Sequence, residues 1–404
     1  MNRSYDLVVI GAGINGTGVA QAAAAAGHSV LILEKSGVAT GTSSRSSKLI
    51  HGGLRYLETA QFRLVRESLR ERALLLRNAP DLVRLQPFYI PIYRTTRRRP
   101  WQLRIGLSLY ALLAGPDRSA IFSVLPESCW DRLDGLITDD LQTVFCYHDA
   151  QTDDRLLTKA VFDSALKMGA EASIPATFMA ARLHKVGCTV EFSEGGRPQT
   201  CSSRVLVNAA GPWVNEILSG IEPAQAMLRI DCIRGSHITL PESTQEGIYY
   251  VESPRDGRAV FVMPWHNHTT MVGTTETRYR GNPDAVLPLG NEKVYLLHVL
   301  VHYFPRFAHF KSSDLVDSFA GIRVLMKKPG HAFHRSREVV LHLDRKVSPR
   351  VISIYGGKLT TYRATAEKVM RIANGALPGR SKVADTHTLK LTASCDDTPI
   401  KRKI

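Results

Sequence analysis

The stretch Ser46–Glu58, SSKLIHGGLRYLE, gathers Ser46, Ser47, Lys48, His51, the pair Gly52–Gly53 and the pair Arg55–Tyr56 around a short apolar thread. Adjacent glycines let a backbone pass close to a ligand, and Arg55 offers a planar fork of donors that matches a phosphate. Two further turns have ligand-binding character. GAGING places Gly11, Gly13 and Gly16 where a chain turns tightly against a pyrophosphate. The turn Gly356-Gly357-Lys358-Leu359-Thr360-Thr361 opens a helix whose amino terminus favours negative charge, with threonines available to cap it.

The elements around these turns give them a context. DLVVIGAG has the continuous apolar run of a buried parallel strand. An alanine-rich helix is predicted from Asn15 to Ala26 with Gly27 as its stop. SVLILEK is a second strand and ends in Glu34, about twenty residues beyond the glycines, as a dinucleotide fingerprint requires. The helix start offers free N–H donors to a pyrophosphate, and the Glu34 carboxylate accepts from ribose hydroxyls. This pattern does not separate NAD from FAD. NAAGPWVNE, Asn208–Glu216, is another small-residue turn, and Gly211 within it allows close passage beside an adenosine half.

Further along, a charged amphipathic helix is predicted from Glu58 to Asn78, ending before Pro80. Arg94–Gly115 joins a basic cluster, Trp101 and an apolar segment. Residues 148–215 return to βα character, 228–319 are strand-rich with a helix at Asn291–Phe304, and 351–375 read as strand, glycine turn and helix. Beyond Arg380 there is no evident packing pattern.

The chain has 404 residues, enough for more than one core, and 52 Lys+Arg against 37 Asp+Glu give a formal charge of +15. That excess favours an anionic partner: a membrane surface, nucleic acid or a phosphorylated substrate. The basic residues are dispersed and no nucleic-acid recognition module is present. Six cysteines without a C-x-x-C pair suit neither zinc nor an iron–sulfur cluster, so no metal is expected, and they fit a reducing cytoplasmic setting. The amino terminus imitates a signal peptide, but Asp6 and the patterned glycines read as strand, turn and helix. No stretch has the apolar length of a membrane span.

GAGING, TSSRSSKLIHGGLRYLE, FRLVRESLRER, NAAGPWV, RGSHI, FVMPW, GTTE and GGKLTTYR occur in the order and spacing of the FAD-dependent glycerol-3-phosphate dehydrogenases, which belong to the D-amino-acid-oxidase-like flavoproteins. The chain resembles that family from about residue 4 to residue 375. The resemblance implies an α/β fold: a Rossmann-like FAD-binding domain in several segments (1–78, 148–222, 320–377), an inserted antiparallel-sheet substrate domain (79–147, 223–319) and a short tail (378–404). It implies noncovalent FAD, with Gly11, Gly13, Gly16, Glu34, Thr42, Ser43 and Ser47 around its ADP portion. Ser46 through Gly53, including Leu49, His51 and Gly52, would run beside the isoalloxazine. Gly357, Lys358, Leu359 and Thr360 would close over its pyrimidine side, where a helix start stabilises the charge of the reduced ring.

By the same resemblance Arg55, Tyr56, Arg323, Arg337 and Lys358 would surround glycerol 3-phosphate, whose phosphate carries nearly two charges. Arg323 would also stabilise developing alkoxide, and His237 or His51 would accept the C2 hydroxyl proton. Membrane quinone is the implied electron acceptor, reached by peripheral attachment at the cytoplasmic face of the membrane. Arg94–Gly115 would meet anionic headgroups, with Trp101, Leu103, Ile105 and Leu107 dipping in. A related oxidase of another 2-hydroxy acid or amine, or an inactive FAD-binding remnant, are the alternatives. The family commonly has proline where Val324 stands. It continues into a helical carboxy-terminal domain, associated with oligomerisation, that these residues do not include; oligomeric state is therefore left open.

Overall fold

The structure, a computed structural model, describes residues 3–327 and 338–393. Two large sheets carry the chain. The centre of the first is parallel: Glu171–Ser173, Val30–Leu33, Arg3–Ile10, the last part of Arg197–Asn208 and Val351–Tyr355 lie side by side. Asp6–Ile10 is buried throughout, as a strand covered on both faces must be. Arg197–Asn208 serves twice. Its first half closes an antiparallel meander with Cys188–Glu194 and Ala176–Leu183, and its second half pairs with Arg3–Ile10.

The helix Ile14–Ala25 packs between Asp154–Lys167 and Tyr362–Ala373 and is buried on nearly every side. Its alanines are the reason, because small side chains let two neighbouring helices close on it. An alanine-rich sequence that looks featureless thus encodes a central helix.

The second sheet is antiparallel except where Ile248–Glu252 runs parallel to Val83–Tyr93. Both of its faces are covered, and alternate residues go to opposite sides. Tyr249 and Val251 pack with Leu296 and Leu300 of the helix Gly290–Tyr303, whereas Ile248 and Tyr250 pack with Leu103, Leu107 and Tyr110 of Pro100–Ala114.

Several expected boundaries are corrected. Asp317–Met326 joins the second sheet, pairing with Ile230–Pro241 from Ile230↔Met326 to Thr239↔Asp317, so positions 320–326 do not extend the nucleotide-binding sheet. It satisfies backbone groups that would otherwise form an open edge. Leu49–Ile50 and all of Leu141–Thr152, including 148–152, also belong to the second sheet. The helix expected from Glu58 begins at Phe62, because Leu54–Thr59 is a 3-10 turn and Ala60 has a left-handed φ of 54°.

The segment after Arg380 does pack. The Arg380 guanidinium meets buried Asp6 at 3.0 Å, Val383 N–H donates to the Ala25 carbonyl, and Leu391 is buried. In Pro100–Ala114 the expected membrane-facing set is divided. Leu103 and Leu107 are buried in the core, while Trp101, Ile105 and Leu112 are 62%, 60% and 75% exposed. Among the described residues no helix is long and apolar enough to cross a membrane.

Candidate active site

A cavity of about 540 Å³ lies where the two sheets meet, within the usual size range of ligand sites. The strand Arg3–Ile10 delivers the first glycine turn to it. A Cβ on Gly16 would stand 1.9 Å from the Gly11 carbonyl oxygen, so Gly16 shapes the turn from behind while Gly11 and Gly13 line the cavity. Gly13 provides no side-chain cap for the helix Ile14–Ala25. Ser43 does part of that work from across the cavity, its hydroxyl accepting from Ile14 N–H at 2.9 Å. Glu34 also lines the cavity and ties the turn together, accepting from the backbone N–H groups of Ala12 and Ser36, each at 2.8 Å.

The loop that carries Ser46–Glu58 runs along the cavity wall. Thr42, Ser43, Ser46, Ser47, Leu49, His51 and Tyr56 all line it, as do Gly211, Arg323, Gly357, Lys358, Leu359 and Thr360. Thr42 Oγ1 donates to the Ile322 carbonyl at 2.9 Å, joining this loop to the strand that bears Arg323. Thr360 does not cap its helix. Its hydroxyl accepts from His51 N–H at 3.2 Å, which fastens the third glycine turn to the loop. Thr361, at the cap position, makes no side-chain capping bond either. The Lys358 ammonium lies 3.8 Å from the centre of the Tyr56 ring, a cation–π contact that holds a positive charge at the cavity wall.

Other expected residues stand behind the wall. Gly52 and Gly53 are buried beneath it, and Arg55 lies beside Tyr56 without lining the cavity. His237 is 1% exposed and reaches the cavity through Ser47, whose hydroxyl is 3.0 Å from Nε2. The imidazole stacks on Phe319 with 4.8 Å between centroids, and Gly273 gives it room, since a Cβ there would stand 2.0 Å from its Cδ2. Burial holds the His237 pKa well below the usual 6.5, with the charges of Arg323 and Lys48 adding to the effect, so this ring is neutral. Arg337 lies outside the described residues.

Chain-wide similarity agrees with this geometry. The profile of the DAO family, FAD dependent oxidoreductase, matches residues 6–367. This chain belongs to that family. An aerobic glycerol-3-phosphate dehydrogenase of Escherichia coli (strain K12) is 36% identical to it over 91% of this chain and 73% of its own. A D-erythritol 1-phosphate dehydrogenase of Brucella abortus (strain 2308) is 35% identical over the same shares. Among solved structures, the glycerol-3-phosphate dehydrogenase of Bacillus halodurans complexed with FAD superposes with a TM-score of 0.74 at 25% identity, covering 96% of this chain and 68% of that one.

The cavity of this FAD-dependent oxidoreductase fits its cofactor on its own terms. Asn15 Oδ1, at the start of the first helix, is buried without a hydrogen bond, while its Nδ2 donates to the Gly356 carbonyl at 3.1 Å. An unpaired acceptor buried where two glycine turns meet is costly unless a ligand donates to it.

Sequence reasoning gave no role to Asn15 or Asp154 and no partner to Lys48. Asn15 is an unspecified place in the GAGING motif. Lys48 and Asp154 form a buried ion pair at 2.5 Å, and the Asp154 carboxylate also receives Ser46 N–H at 2.9 Å, so it sets the course of the loop. The only signal was a lysine within an apolar thread. Val324 continues the ladder opposite Cys232, where a proline would have removed a backbone donor.

Proposed function

We propose that this oxidoreductase oxidises sn-glycerol 3-phosphate to dihydroxyacetone phosphate. The observation that carries the reading is the cationic wall of the cavity, Arg323 and Lys358 beside His51 and Tyr56, on a chain 35–37% identical to enzymes named for polyol phosphates. Gly11, Gly13, Ser43 and the first helix start would hold the pyrophosphate of FAD, Glu34 its ribose, and Gly357–Thr360 with Ser46–His51 its ring system. Bound FAD supplies the hydride acceptor.

The chain's own residues do the rest. Arg323 and Lys358 receive the phosphomonoester by charge-assisted hydrogen bonds, and Arg323 can do so bidentately. That fixes the distance of C2 from the far wall. Lys358 is pre-placed by the Tyr56 ring, so little ordering accompanies binding. Oxidation removes a hydride from C2 and a proton from its hydroxyl. His51 takes that proton on its ring, because it faces the cavity with its backbone pinned by Thr360. His237 contributes through the Ser47 hydroxyl rather than by contact.

Bound FAD, once reduced, would need an electron acceptor, and a membrane quinone is the one this reading implies. Trp101, Ile105 and Leu112 share one face of an exposed helix, with Arg94, Arg97, Arg99 and Arg104 exposed nearby, an arrangement suited to peripheral attachment to an anionic cytoplasmic membrane face. The similarity to the erythritol-phosphate enzyme supports a second reading, a four-carbon polyol phosphate as substrate. The decisive experiment adds each compound anaerobically to purified holoprotein and follows flavin absorbance. Bleaching by glycerol 3-phosphate, and not by glycerol or lactate, is expected. Faster bleaching by D-erythritol 1-phosphate would move the assignment to that substrate, and peroxide formation without need of quinone would make it an oxidase.

A further inference from the structure

Glu276 ends the Gly273–Glu276 motif and takes no part in the chemistry proposed above. Its side chain is 3% exposed, and Oε1 lies 3.5 Å from Nη1 of Arg323, whose own side chain is 21% exposed and lines the cavity. The other carboxylate oxygen lies 3.9 Å from Nη1 of Arg258. On another side the guanidinium rests against Gly235. A Cβ at that position would stand 2.9 Å from Nη2 and 3.1 Å from Cζ of Arg323. Strand register builds this arrangement, since Ile233 faces Arg323 and Gly235 faces Gly321 across the ladder. The arginine therefore has a carboxylate beside it and a side-chain-free floor under it.

We propose that Glu276 is a positioning residue that turns the Arg323 guanidinium toward the cavity and holds its plane ready for a phosphomonoester. The inference rests on the phosphate-binding reading above and names the group that sets its geometry. A guanidinium engages a phosphate through two parallel donors only when its plane is fixed, and a long flexible side chain needs a partner to fix it.

Glu276→Gln separates orientation from simple attraction because the two give opposite signs. Removing a buried negative charge makes the pocket more positive, so attraction alone tightens anion binding. Loss of orientation weakens it. The probes are inorganic phosphate and glycerol 3-phosphate, titrated into holoprotein and read by perturbation of the flavin spectrum. Both are expected to bind about tenfold more weakly in Glu276→Gln, the loss of roughly one well-made charge-assisted hydrogen bond. Glu276→Asp should recover part of the affinity, KM should rise with kcat little changed, and FAD retention should match wild type. Equal or tighter binding by Glu276→Gln overturns the proposal. Should that variant fail to hold FAD, Gly235→Ala replaces it: the new Cβ, 2.6 Å from Thr274 Oγ1 and 2.9 Å from Nη2 of Arg323, crowds the guanidinium and should cause the same loss, and undiminished affinity there is equally fatal. A wild-type protein that responds to neither probe instead removes the phosphate-binding reading itself, and this proposal with it.

Discussion

Tyr110→Phe removes a single oxygen from a buried junction between an exposed helix and the cavity wall. The Tyr110 hydroxyl accepts from Gly52 N–H at 2.8 Å and donates to Asp149 Oδ2 at 2.7 Å. Asp149 Oδ1 in turn receives Nη1 of Arg72 at 2.6 Å, and Arg72, wholly buried, also donates to the His148 carbonyl, Asp117 and Ser119. Burial and the neighbouring Asp149 charge raise the Tyr110 pKa far above its usual value, so the hydroxyl stays protonated and acts as donor and acceptor together.

Phenylalanine occupies the same space, so packing is preserved and only the two bonds are lost. The neutral one contributes about 1 kcal/mol and the one to an ionised carboxylate about 2, for a total of about 3 kcal/mol. The loss falls on the backbone at Gly52, next to His51. Amide hydrogen exchange read on a peptide spanning residues 49–57 measures it locally. Only the Gly52 bond, about 1 kcal/mol, belongs to this loop, and its loss corresponds to roughly fivefold faster exchange. The strand Arg3–Ile10, in the other sheet, should exchange at its wild-type rate. If exchange over 49–57 is within about threefold of wild type, the bond is not what holds this loop, and the reasoning that links the helix to the wall fails.

Other consequences can be measured separately. The neutral His237 binds no proton where an unfolded imidazole does, so stability should fall as pH drops below about 6.5, by up to about 1.4 kcal/mol per pH unit, and His237→Gln should flatten that slope in urea titrations. Gly273→Ala should destabilise by about 1–3 kcal/mol in thermal or urea unfolding, because the ring between Gly273 and Phe319 has nowhere to move without leaving Ser47. Replacing Trp101, Ile105 and Leu112 together by serine should abolish sedimentation with anionic vesicles at low salt while leaving the FAD spectrum intact; retained sedimentation would exclude this face as the attachment site. Burial alone would raise the Asp6 pKa, but Ser29, Arg380 and His28 hold it below its usual value. Its contribution should therefore be lost as pH falls below about 4, and Arg380→Ala should reduce that acid sensitivity, leaving the part due to Ser29 and His28, and should also remove protection of residues 380–391 from proteolysis.

What the sequence disclosed and what it withheld divide along physical lines. The first βαβ unit is local: Gly11, Gly13 and Glu34 are close in the chain, and their spacing alone constrains the turn they make. The helix Gly290–Tyr303 and the strand Val351–Tyr355 likewise declare themselves by period and composition. The face of Pro100–Ala114 did not, because apolar residues occur on both sides of that helix, and only the packed neighbours show that Leu107 is inside and Ile105 outside. Sheet membership of Asp317–Met326 was equally closed to inspection, since any strand of that composition satisfies either edge.

The charged contacts of the site were the least legible. Lys48 with Asp154, Arg323 with Glu276 and Arg380 with Asp6 each join distant parts of the chain. A buried charge needs a partner, yet nothing in the local sequence says which one it will meet. The motifs show this well. RGSHI lies on Ile230–Pro241 and GTTE starts at the last residue of the neighbouring strand Thr269–Gly273, with His237 opposite Gly273, so the glycine of one motif makes room for the histidine of the other. Their residue types are intelligible only as a pair. Arg323 comes from a third strand and rests on Gly235 of the first motif with Glu276 of the second beside it. The Arg323 end of this cavity is therefore specified by three strands and the turn that bears Glu276, and on the proposed reading a change in any one of them should be felt first in how an anion is oriented and only afterwards in whether the fold survives.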